Sequence, residues 1–167
     1  MRLFRLCVLI GFVAIGAASA WIASAQPERK TPAMSHAHGS FDVKTAPMSP
    51  DEATTGTAIG RFALDKQYHG ALNATGRGEM LASGNPATGT AGYVALEQVT
   101  GTLDGRKGGF ALQHFGTMDA GSFELKVTIV PGSGTEELKG IAGTMTITIA
   151  AGGKHSYALD YTLPANQ

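Results

Sequence analysis

Cysteine is nearly absent. The 167-residue chain has one, Cys7, in an apolar N-terminal stretch. No disulfide framework is available to the rest of the chain, so its fold must stand on a hydrophobic core of its own. Long apolar runs are missing beyond the first 25 residues, which leaves nothing downstream to span a membrane as a helix. A charge excess is missing too: 13 basic residues balance 13 acidic ones. With no basic patch and no charge run, nucleic acid is not expected as a partner. The chain also lacks a P-loop, a dinucleotide fingerprint and a G-x-S-x-G elbow, so no cofactor is expected and nucleophilic catalysis has no support. Gly132-Ser133-Gly134 reads as a turn.

What is there begins with MRLFRLCVLIGFVAIGAASAWIASAQ. Arg2 and Arg5 make a short basic start, residues 6–18 are almost wholly apolar, and Ala18-Ser19-Ala20 and Ala23-Ser24-Ala25 both fit the A-x-A cleavage pattern. Residues 1–25 read as a secretory signal peptide cleaved after Ala25. A retained membrane anchor is the alternative, since the stretch has roughly the length of one transmembrane helix of about 20 residues. Cys7 precedes the apolar core and would leave with the signal. The expectation is an exported protein, periplasmic or extracellular, with no membrane attachment after cleavage. Residues 26–36, QPERKTPAMSH, carry two prolines and no periodicity and read as a flexible linker. Residues 37–164 form the expected domain, and a homo-oligomer is compatible with its composition.

From Ala37 on, β-branched residues, aromatics and glycine dominate and turn signals recur. This is an all-β pattern. Eight strands are expected, at 39–46, 58–68, 71–82, 90–103, 108–118, 122–130, 138–150 and 154–163. Period-2 alternation is clearest in the sixth, where Phe123, Leu125, Val127 and Ile129 share one face and Glu124, Lys126 and Thr128 the other. Asp104-Gly105 is a strong hairpin signal. Sequential strands with short turns suit a meander closed into an eight-stranded antiparallel β-barrel, which removes exposed edges. Glycines inside strands (Gly76, Gly78, Gly92, Gly101, Gly116, Gly143) favour the barrel over its rival, a β-sandwich.

The stretches DKQYHGALNATGRGEML, TAGYVALEQVTGTLDGRKGGFALQHFGTM and VPGSGTEELKGIAGTMTITIAAGGKHSYALDYTLP resemble a bacterial family catalogued as domain of unknown function 3224. The likeness runs from about His38 to Pro164 and is most specific from Gly92 through Met118. It implies the closed, eight-stranded antiparallel barrel with a central cavity found in the allene oxide cyclase-like group. No cyclase motif carries over residue by residue, and a shared barrel does not imply shared chemistry.

An eight-stranded barrel can be filled by side chains or hold one small ligand. Ala74, Gly76, Gly78, Ala91, Gly92 and Ala95 are small, so a cavity or mouth pocket is expected beside the third and fourth strands. Glu97 shares a face with Tyr93 and Ala95; turned inward it is a buried acid suited to acid–base work, turned outward a solvated charge. Glu79 follows Arg77 on one face and reads as a second candidate acid or as half of an exposed ion pair. In GGFALQHFGTM, His114 shares its face with Phe110 and Leu112 and is expected inward. A glycine bulge would deliver Gln113 instead. The catalytic candidates are therefore Glu97, Glu79 and His114, and the ligand-binding candidates Tyr93, Glu97, Phe110, Gln113, His114 and Tyr157. His36 and His38 have an H-x-H spacing but no third ligand nearby, so no metal site is expected. His69 and His155 read as turn or surface residues. The leading functional expectation is a barrel that binds a small, mostly apolar ligand. The alternative is an isomerase or cyclase acting on a lipid-like substrate in the cavity.

Overall fold

The computed structural model describes residues 32–164. The expected signal peptide at 1–25 lies outside the described residues, as does all of the expected linker before Pro32. Eight strands run in chain order: β1 (Met34–Met48), β2 (Gly60–Gly70), β3 (Leu72–Asn85), β4 (Thr90–Leu103), β5 (Arg106–Asp119), β6 (Ser122–Ile129), β7 (Ala142–Ile149) and β8 (His155–Thr162). Each pairs antiparallel with the next, and β8 pairs back onto β1, closing the barrel. The sandwich alternative is thereby set aside. Among the described residues no helix is long and apolar enough to cross a membrane.

Two tight hairpins set the register. Asp104 and Gly105, at φ 49° and 79°, join β4 to β5; Ala120 and Gly121, at 47° and 84°, join β5 to β6. Paired positive φ values give the turn whose twist matches the flanking strands. The registers that follow, Leu103 opposite Arg106 and Asp119 opposite Ser122, fix which side chains point inward. The inward face is even-numbered on β2, β3 and β5 and odd-numbered on β1, β4, β6, β7 and β8, as burial shows through Tyr68, Leu72, Phe110, Ala37, Val99, Val127, Met145 and Leu159.

The two ends of the barrel differ. At one end Leu72, Leu103, Phe110, Leu112, Leu138, Ile141 and Leu159 pack into a core with 0–1% exposure each. Burying such a side chain stabilises the fold by about 1.5–3 kcal/mol. The connection from β6 to β7 folds beneath this end. Thr135 N donates to Gly109 O at 2.9 Å, and Gly109 N to Thr135 Oγ1 at 2.9 Å, which tucks Leu138 and Ile141 under the strands. These two residues were expected within a seventh strand over 138–150; instead a short 3-10 turn at Glu136–Leu138 precedes a strand that starts at Ala142.

The other end is looser. β6 and β7 pair only through Val127–Met145 and Thr128–Thr144, and the β1–β8 ladder stops at Phe41–His155. Beyond these points the strands splay and the barrel opens. At the opposite extreme of β1, Met34–His36 pair with β8 (His36 opposite Asp160), so the strand takes in the last three residues expected in the linker.

Candidate functional site

Midway along the barrel, three strands turn polar side chains into the interior. β2 alternates Leu64, Lys66 and Tyr68 inward, β4 brings Glu97 between Ala95 and Val99, and β5 brings His114 two residues beyond Leu112. Glu97 is fully buried, Lys66 is 6% exposed and His114 3% exposed. Burying charged groups is costly unless they are paired and hydrogen-bonded, and these meet that condition. Lys66 Nζ donates to Glu97 Oε2 at 2.6 Å and to Tyr68 Oη at 3.3 Å; Tyr68 Oη donates to Glu97 Oε1 at 2.8 Å; His114 Nε2 lies 3.1 Å from Glu97 Oε2. The ammonium also sits 5.0 Å from the centre of the Phe41 ring.

Room for the carboxylate comes from β3. Gly76 stands beside Glu97, and a Cβ there would collide with Oε1. Gly78 serves a different need, since a Cβ there would strike the Leu96 carbonyl of the adjoining strand. The glycines that signalled barrel closure thus do two jobs, close backbone approach and clearance for the buried acid.

Burial by itself would push the Glu97 carboxyl up. The hydrogen bond from His114, the charge and bond of Lys66 and the bond from Tyr68 outweigh it and hold the carboxyl below its ordinary value. Glu97 is therefore an anion at neutral pH. A carboxylate only accepts, so His114 Nε2 carries the proton of their shared bond. Tyr68 is pushed far up, by burial first and then by the adjacent Glu97 charge, and stays a donor.

Above this cluster, at the open end, lies a cavity of about 260 Å³. Its walls are Phe41, Val43, Leu64, Met80, Leu125 and Ile147, with Tyr93, Phe123, Ile149 and His155 toward the rim. Lys66 and His114 also line it, as the buried polar patch of a mostly apolar chamber whose lining Thr45 completes. His114 Nδ1 has no hydrogen-bond partner, yet no fully buried side-chain nitrogen or oxygen among the described residues lacks one. Nδ1 therefore keeps some accessible surface, and the cavity that His114 lines adjoins it. No group of three or more His, Cys, Asp or Glu side chains among the described residues is arranged to hold a metal ion.

The structure separates the residues singled out in the sequence. Glu97 and His114 come together, with Glu97 inward and His114 bridging it to the cavity. Tyr93 reaches the cavity rim, where burial raises its hydroxyl above the ordinary value. Phe110 and Tyr157 face inward but belong to the packed end; the Tyr157 hydroxyl accepts from Leu72 N at 2.8 Å. Gln113 points outward and is exposed, because β5 keeps its alternation through Gly116 with no bulge at His114. Glu79 also points outward, and its ion-pair partner is Arg61 on β2 at 2.5 Å rather than Arg77. The pocket expected beside β3 and β4 lies at the rim, where Leu81–Ser83 and Gly92–Val94 line a shallow, apolar depression of about 400 Å³. Tyr68 and the Glu97 carboxylate occupy the space that the small residue Gly76 leaves, and only Met80 and Tyr93 from those strands touch the open chamber. His155 reaches the cavity as well, stacked 5.0 Å from the Phe41 ring. His36 and His69 sit on the exterior against Asp160 and Asp42.

Lys66 and Tyr68 were not among the expected site residues. The signal was the parity of LDKQY, in which Leu64, Lys66 and Tyr68 share a face. A lysine is so often solvated that this parity alone does not mark it as buried.

A family model described as Protein of unknown function (DUF3224) matches residues 37–161. The crystal structure of a DUF3224-family protein of unknown function from Shewanella oneidensis MR-1 superposes with a TM-score of 0.71 at 46% identity. The alignment covers 80% of this chain and 100% of that one. No curated protein matches the chain.

Proposed function

The chain belongs to the DUF3224 family, and from that footing we propose that its barrel binds a small, mostly apolar molecule in the chamber at the open end. The observation that carries the reading is the contrast within one interior. The packed end closes around apolar side chains of 0–1% exposure, whereas the open end keeps about 260 Å³ walled by apolar side chains over a polar patch of Lys66 and His114. Apolar walls with a few fixed polar groups are the usual make-up of a small-molecule site. At ~30 Å³ per water-sized group the chamber holds about nine non-hydrogen atoms, the size of a short hydrocarbon chain with a polar head. Export places that ligand outside the cytoplasm. Its support is the basic start, apolar run and tandem A-x-A sites of residues 1–25.

Native mass spectrometry of the protein recovered from the cells that make it, with solvent extraction of what co-purifies, tests the reading. A bound molecule of that size, or a thermal shift with short-chain alcohols, ketones or acids, is the expected result. Repeated recovery of empty protein with no thermal shift across such a panel would overturn it.

A further inference from the structure

The polar patch of the chamber is more than a hydrogen-bonding floor. A site that only anchored an accepting polar head would need a donor, and Lys66 alone would supply it. This one adds an imidazole clamped from behind. Glu97 holds Nε2–H at 3.1 Å, which fixes Nε2 as the protonated nitrogen of that bond and leaves Nδ1 on the cavity side of the ring. Glu97 is itself held from three sides, by Lys66, Tyr68 and His114, so the ring cannot swing away with its carboxylate. Lys66 Nζ and His114 Nε2 share one carboxylate oxygen, Glu97 Oε2. A cation and a base thus converge on one patch of an apolar chamber, where charge interactions are strong.

We propose that His114 and Lys66 form a proton-transfer site for a small apolar carbonyl compound, with His114 Nδ1 as the base and the Lys66 ammonium at the carbonyl oxygen. The step balances without any co-reactant. Nδ1 takes a proton from the carbon next to the carbonyl. The C–H pair becomes a C=C bond, the C=O bond opens to an enolate, and the enolate oxygen is held by a Lys66 N–H. The imidazolium then returns the proton, either to the same carbon or, where a β,γ double bond is present, to the γ-carbon, giving the conjugated isomer. Glu97 does not touch the ligand; it is a positioning residue that sets the tautomer and angle of His114.

This inference rests on the binding reading, and the experiment separates the two. Methyl hexyl ketone, which matches the chamber in size, is incubated with the protein in deuterium oxide, and loss of its α-proton signals is followed by NMR; binding is read by thermal shift alongside octyl alcohol and octane. Wild-type protein is expected to bind the ketone and exchange its α-protons faster than buffer. His114→Gln is expected to keep binding and lose about 10²-fold or more of the exchange, the usual contribution of a positioned base. His114→Asn is expected to do the same, and it stands in if His114→Gln fails to fold. Lys66→Met is expected to bind and to exchange slowly. Glu97→Gln is expected to change the nitrogen chemical shifts that report the His114 tautomer, with Glu97→Asp restoring them in part. A ketone that binds but exchanges no faster than in buffer, exchange that survives loss of His114, or a ketone that fails to bind where the alcohol binds overturns the inference and leaves the binding reading standing. Failure of all three probes to bind overturns the binding reading, and this inference with it.

Discussion

Lys66 and Glu97 concentrate the energetic risk of the molecule in one pair. Their side chains are 6% and 0% exposed, so neither can fall back on water if the other is lost. Removing one member of such a pair typically costs about 3–5 kcal/mol, whereas replacing both with apolar groups is often neutral. Lys66→Met is therefore expected to destabilise by that amount in denaturant unfolding, and Lys66→Met/Glu97→Leu by less than the single change. Equal losses in the two would mean that the pair is not coupled. Acid should act through the same carboxylate. Glu97 is held below its ordinary value in the fold and returns to it on unfolding, so the unfolded chain takes up the proton more readily. The stability Glu97 contributes is present above the unfolded value of ~4.3 and is lost as pH falls through the lower folded value. A pH series of unfolding midpoints should fall below pH ~4.3 in the wild type, and less steeply in Glu97→Gln, which has no proton to take up there.

Strand pairing shows which parts of the barrel are free to move. β4 pairs with β3 and β5 along its whole length, from Asn85–Thr90 to Leu103–Arg106. β6 meets β7 at only two residue pairs. Amides without ladder partners exchange through local opening at little cost. Within the strands, hydrogen exchange should therefore be fastest at those amides of Phe123–Lys126 and Thr146–Ile149 that face the β6–β7 gap rather than β5 or β8, and slowest in Leu96–Gly101; equal protection of gap-facing and paired amides would rule this out. The elements were also where the sequence was most legible. β4 lies where its alternation and flanking turns put it, and Asp104-Gly105 announced its hairpin through backbone chemistry alone. The facing of Glu97 was not legible, because β4 is apolar on both sides. Val94 and Leu96 are outward at 50% and 59% exposure, which removes the polar–apolar contrast that fixes parity elsewhere. The loop beneath the packed end was hidden for a related reason. Leu138 and Ile141 look like the start of a strand in sequence and are buried as if in one, but by a turn held to Gly109, a contact no local pattern encodes.

The whole molecule divides its labour along the barrel axis. One end is packed and carries the core; the other keeps space and carries the candidate chemistry, with the Lys66–Glu97–His114 cluster as the floor between them. Stability and binding should then be separable by substitution, which would not hold if the open chamber were only a loosely packed part of the core. Leu125 tests this well. It faces inward on β6, lines the chamber, and lies where β6 has parted from β7. Leu125→Trp adds bulk to space that is already free, so it escapes the 1–3 kcal/mol that overpacking costs in a filled core, roughly speaking. The expected outcome is an unfolding midpoint at or above that of the wild type, together with loss of the thermal shift produced by short-chain ligands. A variant that unfolds early would place Leu125 in the load of the core. A stable variant that still binds would place the ligand somewhere other than this chamber.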